Sequence, residues 1–140
     1  MHTGNINTIT VNLGERSYPI YIGVGAIDAL PDALRLLGVK GPVVIASDAN
    51  VAPLYAGRIA ELVREADATP FICAMPPGEA NKRIAQIDLF VGEFLKAGLD
   101  RSSIVIALGG GVVGDVVGYA AASFMRGIRY IQIPTTIVAQ

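Results

Sequence analysis

Gly109-Gly110-Gly111-Val112-Val113-Gly114 satisfies G-x-G-x-x-G directly after the apolar run Ile104 to Leu108 and directly before a stretch of helical character. A strand that turns on glycines into a helix presents backbone N–H groups and the positive end of a helix dipole, which suits a diphosphate. Three glycines also serve a tight strand-to-helix turn without any ligand. The usual dinucleotide fingerprint lies on the first strand and has an acid about twenty residues later. No acid follows Asp115 here, so a ribose acid must come from elsewhere, and Asp48, at the end of the first parallel strand, is placed for it.

Other polar groups gather around this turn. Glu79 and Lys82, three apart at a helix start, can meet ribose hydroxyls and a phosphate, or pair with each other on a solvated face. Asp115 stands among Val112, Val113, Val116 and Val117, where a carboxylate is costly unless something donates to it. A ligand hydroxyl or amide is one donor, and free backbone N–H groups are the other. Thr135 and Thr136 follow Pro134 and can cap a new helix with hydroxyls left to touch a ligand. Arg126, beside Gly127 at a helix C-terminus, answers the dipole. Cys73 reads as a small core residue. Zinc usually takes three protein ligands, and the soft donors here are His2 and Cys73 alone. No zinc set is visible, and one histidine excludes a Ser/His/Asp or Cys/His device.

The elements that must position these groups follow from periodicity. Ile6 to Ile22 alternates around Gly14-Glu15-Arg16 and predicts a β-hairpin. A helical stretch from Ala26 to Leu37 is broken near Pro31 and closed by Gly38. Pro42 to Ala46 is a β-branched run without polar alternation, as in a strand buried on both faces. Asn50 to Asp67 is helical through Leu54, Ile59, Leu62 and Val63, and leads to the strand Phe71 to Ala74, which Pro76-Pro77-Gly78 stops. Glu79 to Ala97 is read as one helix, with Ile84, Ile87, Phe90, Val91, Phe94 and Leu95 on one face and Gly98 at its C-cap. The strand Ile104 to Leu108, a helix from about Val112 to Met125 and the strand Tyr130 to Ile133 complete the order. The fold class is α/β: an open, mostly parallel Rossmann-like sheet with helices on both faces, preceded by an N-terminal β-hairpin. Ligands of such sheets collect at the carboxyl ends of the strands, and every unusual polar cluster falls there, in Ser47 to Asn50, Pro76 to Lys82, Gly109 to Asp115 and Pro134 to Thr136.

Composition narrows the class further. With 140 residues, 52% of them apolar, the chain has material for one core and shows no internal domain boundary. A formal net charge of -1 leaves no basic excess for nucleic acid or an anionic membrane surface. Ile104 to Phe124 is apolar enough to raise the question of a membrane span, and mean hydropathy is +0.51. Asp115 and the triple glycine favour a buried strand, turn and helix instead. The single cysteine and the absence of a secretory start point to the cytoplasm.

PPGEANK, LGGGVVGDVVGYAAASFMRGIRYIQIPTT and SDAN resemble the N-terminal, NAD-binding half of the 3-dehydroquinate synthase family, and the resemblance runs through the whole chain in order and spacing. It implies an enzyme that turns 3-deoxy-D-arabino-heptulosonate 7-phosphate into 3-dehydroquinate and phosphate, using NAD and a divalent metal, zinc or cobalt. In that family a hydroxyl is oxidised to acidify its neighbour, phosphate is eliminated, hydride is returned, and the ring closes by an aldol step. Residue by residue, Asp48 and Asn50 resemble the positions near the adenosine, Glu79 and Lys82 those at its ribose, and Gly110, Gly111, Val112 and Gly114 the pyrophosphate cradle. Asp115 resembles the acid on the nicotinamide-ribose side, and Thr135 and Thr136 a hydroxyl pair at the cofactor. Arg126 resembles an arginine that reaches the substrate phosphate in the neighbouring subunit of a homodimer. The family's metal ligands and most of its substrate lysines have no counterpart before Gln140. The apolar end, Ile137 to Gln140, leads to the expectation of an NAD-binding domain, 1–140, cut before a metal- and substrate-binding domain, and inactive alone. Another sugar-phosphate cyclase or polyol dehydrogenase of the same fold, and a non-catalytic nucleotide-binding domain, are the alternatives.

Overall fold

Val43, Val44 and Ile45 lose essentially all contact with solvent on both sides of their strand, as the uninterrupted β-branched run requires. The computed structural model describes residues 4–140, and this strand, β3 (Gly41–Asp48), lies inside a four-stranded parallel sheet. The neighbours are β4 (Ala68–Met75) on one side and β5 (Ile104–Gly109) on the other, with β6 (Arg129–Pro134) beyond β5. The first two strands, β1 (Asn7–Val11) and β2 (Tyr18–Ile22), pair antiparallel as the expected hairpin, with Ile9 opposite Ile20.

Helices cover both faces. The helices α1 (Leu30–Leu36) and α2 (Ala52–Glu65) pack with Val43, Ile45, Ile104, Ile106 and Leu108. On the opposite face, α3 (Ile84–Ala97) and α4 (Gly111–Ser123) pack with Val44, Ala46, Val105 and Ala107. Phe94 and Phe124 meet edge to face there, ring centroids 5.5 Å apart. Buried rings of this kind each contribute about 1.5–3 kcal/mol.

Three details differ from the periodic reading. The helix expected over Glu79 to Ala97 is divided: Glu79–Asn81 is one 3-10 turn, Arg83 is extended, and α3 begins at Ile84. Local bonds cause this, since Asn81 Nδ2 donates to the Pro77 carbonyl at 2.8 Å and the Arg83 amide to Asn81 at 2.9 Å. The polar cluster of this segment therefore rides on a loop. Leu54, Ile84 and Leu95, assigned to packed faces, are exposed rims. The last helix stops at Ser123, and Met125 and Arg126 then adopt φ of +49° and +65°. Burial of Phe124 and a bond from the Ile128 amide to the Ala121 carbonyl fold the chain back tightly into β6.

Candidate functional site

All four parallel strands end along one edge. Because β3 is followed by β4 on one side and β5 on the other, the carboxyl ends of β3 and β5 flank the point where chain order reverses, the usual ligand crevice of such sheets.

On the β3 side, Asp48 Oδ1 accepts the amides of Asn50 and Val51, both at 2.8 Å, and starts the turn into α2. Asn50 is exposed beside it. The acid proposed for a ribose thus also holds its own turn.

On the β5 side, α4 begins at Gly111 without a side-chain cap, and the bond from the Gly114 amide to the Gly110 carbonyl is the first of its ladder. The amides of Gly111, Val112 and Val113 therefore precede the ladder and face the edge unshared with the helix. The glycines divide the work. A Cβ on Gly109 would stand 2.7 Å from the Val113 side chain, one on Gly110 3.0 Å from Thr136, and one on Gly114 2.6 Å from Gln132 Nε2, whereas one on Gly111 would meet nothing within 4 Å. Gly110 and Gly114 have protein neighbours to accommodate; Gly111 leaves open space for a ligand.

Asp115 lies on the solvent side of α4, because a 3.6-residue period turns Val113, Val116 and Val117 into the core and the carboxylate away from it. The expectation of a carboxylate in apolar surroundings is corrected accordingly. A side chain donates to it in this structure: Lys82 Nζ reaches Asp115 Oδ2 at 2.6 Å and Glu79 Oε1 at 3.8 Å. The hydrogen bond and charge of Asp115, then Glu79, hold the Lys82 ammonium above its ordinary pKa.

The Thr135 amide closes onto the Gly109 carbonyl at 2.9 Å. Its Oγ1 is buried without a hydrogen-bond partner, an arrangement that calls for one. Thr136 Oγ1 accepts the Ala139 amide at 3.2 Å, so this hydroxyl does cap a turn. The unshared amides at the open space over Gly111 fit an anionic group.

Arg126 stands apart. It follows the far end of α4, which at 13 residues is about 20 Å long, and so lies at the opposite edge of the sheet. Within one chain the fold does not bring it to the glycine turn. Sequence reasoning missed Gln132, whose partner spacing was legible: Gly114 and Gly118, four apart on α4, receive Gln132 and Tyr130, two apart on β6.

Cys73 is largely buried, which pushes its thiol up to about 12. His2 lies outside the described residues. Among the described residues no group of three or more His, Cys, Asp and Glu is disposed to hold a metal, and no helix is long and apolar enough to cross a membrane.

Fold and edge define an open parallel α/β domain with a glycine-rich strand-to-helix turn at its switch point. Among solved structures, 2-deoxy-scyllo-inosose synthase complexed with carbaglucose-6-phosphate, NAD+ and Co2+ superposes with a TM-score of 0.85 at 23% identity, over 95% of this chain and 36% of that one. ValA, the 2-epi-5-epi-valiolone synthase of Streptomyces hygroscopicus subsp. jinggangensis 5008 with NAD+ and Zn2+ bound, gives 0.66 at 30% identity over 76% of this chain and 30% of that one. Residues 72–140 match the family model described as 3-dehydroquinate synthase N-terminal. The 3-dehydroquinate synthases of Pelobacter propionicus (strain DSM 2379 / NBRC 103807 / OttBd1) and Pelotomaculum thermopropionicum (strain DSM 13744 / JCM 10971 / SI) are 42% and 44% identical over 135 residues, 96% of this chain. By sequence this chain is similar to those 3-dehydroquinate synthases, and it spans 38% and 36% of the length of the two curated relatives.

Proposed function

We propose that this chain is the NAD-binding domain of a 3-dehydroquinate synthase, a carbon-oxygen lyase of the shikimate pathway that converts 3-deoxy-D-arabino-heptulosonate 7-phosphate to 3-dehydroquinate and phosphate. The observation that carries the reading is the open space over Gly111 at the uncapped start of α4, where the first amides of the helix are unshared. In this reading the amides of Gly111 and Val112 hold the diphosphate, with Gly110 and Gly114 allowing the turn. Asp48 and Asn50 face the adenosine end, Glu79 and Lys82 its ribose, and Asp115, Thr135 and Thr136 the nicotinamide side. NAD, when bound, supplies a reversible hydride acceptor; the chain's own part is to fix its position and leave one face open to a sugar phosphate.

The divalent metal, zinc or cobalt, belongs in this reading to the part of the relatives that this chain does not span. The parent works as a cytoplasmic homodimer, and Arg126, remote from the edge in its own chain, serves the substrate phosphate of the neighbouring subunit. The alternative of another NAD-dependent cyclase draws support from the 30% identity to the valiolone synthase, but the 42% and 44% matches to 3-dehydroquinate synthases cover more of the chain. Calorimetric titration of the chain with NAD, and a product assay on the parent enzyme, test both parts. Absence of NAD binding refutes the cofactor assignment, and a cyclitol product other than dehydroquinate refutes the choice of reaction.

A further inference from the structure

Ser47 is fully buried, with 0% of its surface exposed. It sits where β3 leaves one neighbour and keeps the other. Pairing with β5 ends at Ala46 and Ala107, whereas pairing with β4 continues to Asp48 and Met75. At that divergence Ser47 Oγ donates to the Leu108 carbonyl at 2.7 Å, one residue before the glycine turn. The next residue on its own strand is Asp48, whose carboxylate holds the turn into α2.

We propose that Ser47 is a positioning residue for the nucleotide crevice: its hydroxyl sets the separation between the Asp48–Asn50 wall and the Gly109–Val113 wall, and thereby selects ligands long enough to engage both. The inference rests on reading this edge as an NAD site, and adds a residue that touches no ligand atom. The chemistry favours serine. A buried hydroxyl must be paired, and its one acceptor here belongs to the opposite wall, so the bond holds only at one spacing of the two strands. Alanine leaves the carbonyl of Leu108 without that donor and lets the walls part; threonine keeps the hydroxyl.

The experiment compares Ser47→Ala and Ser47→Thr with the wild-type chain, titrating three ligands: NAD, which reaches both walls, and adenosine and inorganic pyrophosphate, which each reach one. Loss of a single buried hydrogen bond predicts an NAD Kd about five- to tenfold higher for Ser47→Ala, with the two short ligands changed less than about twofold. Ser47→Thr recovers most of the NAD affinity. Backbone amide chemical shifts of the ligand-free chain give a second readout, in which Ser47→Ala moves Asn50 and Val51 together with Gly110 to Val113. Wild-type NAD affinity in folded Ser47→Ala overturns the proposal, as does an equal loss for all three ligands, the mark of a general disturbance. Failure of the wild-type chain to bind NAD refutes the cofactor reading instead. The amide shifts then decide the positioning role: shifts confined to one wall overturn it, and shifts in both sustain it.

Discussion

Lys82 Nζ lies 2.6 Å from Asp115 Oδ2, so the loop after β4 and the second turn of α4 are joined across the end of β3. The two residues are 33 positions apart, and the cofactor reading assigns Lys82 to the adenosine ribose and Asp115 to the nicotinamide side. A ligand hydroxyl arriving there enters an existing ion pair.

The pair is solvated, with 40% and 61% of the two side chains exposed, so it stabilises the fold little. Asp115→Asn is expected to leave the melting temperature of the ligand-free protein almost unaltered and to weaken NAD binding by about tenfold or more. Titration and a melting curve on the same variant decide it; a destabilised variant with wild-type affinity would make Asp115 a purely structural residue. Because the Lys82 pKa is raised, the pair's contribution is fully present below the unfolded lysine value near 10.5 and is lost only as pH rises through the higher folded value. The Asp115→Asn difference in melting temperature should accordingly stay flat across neutral pH.

Gly109 and Gly111 separate packing from binding. Gly111→Val enters open space and is expected to keep the fold while abolishing measurable NAD binding. Gly109→Ala presses against Val113 at 2.7 Å and should cost roughly 1–3 kcal/mol of stability, the scale of overpacking. Denaturant unfolding of both variants, with titration of the folded one, checks the contrast. Equal NAD affinity in folded Gly111→Val would leave the turn with a structural role alone.

Cys73, its thiol pushed up to about 12 chiefly by burial and then by Glu93, should react with a disulfide reagent at pH 8 far more slowly in the native chain than in denaturant. An acid whose folded pKa is raised holds its proton longer in the native state, so stability falls as pH rises from the unfolded thiol value near 9 toward 12. Cys73→Ala should flatten that part of the stability curve. A native reaction rate equal to the denatured one would contradict the burial argument.

The chain alone is expected neither to retain stoichiometric zinc or cobalt nor to form dehydroquinate, since the described residues present no cluster of metal-binding side chains. Metal analysis after purification in each metal, followed by a product assay, tests this. One tightly held ion per chain, or turnover above background, would contradict it.

Much of this domain was legible in sequence because its determinants are local. The β-branched run of β3, the alternation of the hairpin and the glycine turn after β5 each declare an element within a few residues. Parallel strands joined by helices then leave the polar clusters at one edge by topology alone. What the tertiary structure decided are contacts between segments distant in sequence. Helical phase turned Asp115 outward, and Lys82 meets it from the segment before α3. The fit of Gln132 and Tyr130 against Gly114 and Gly118 depends on how β6 lies along α4. Ser47 and Leu108 meet across 61 residues because β3 and β5 diverge there, and Arg126 is removed from the edge by the length of a helix. Periodicity reports which face a residue takes on its own element; the distance between two elements is set by side chains packing from both, and no local pattern contains it.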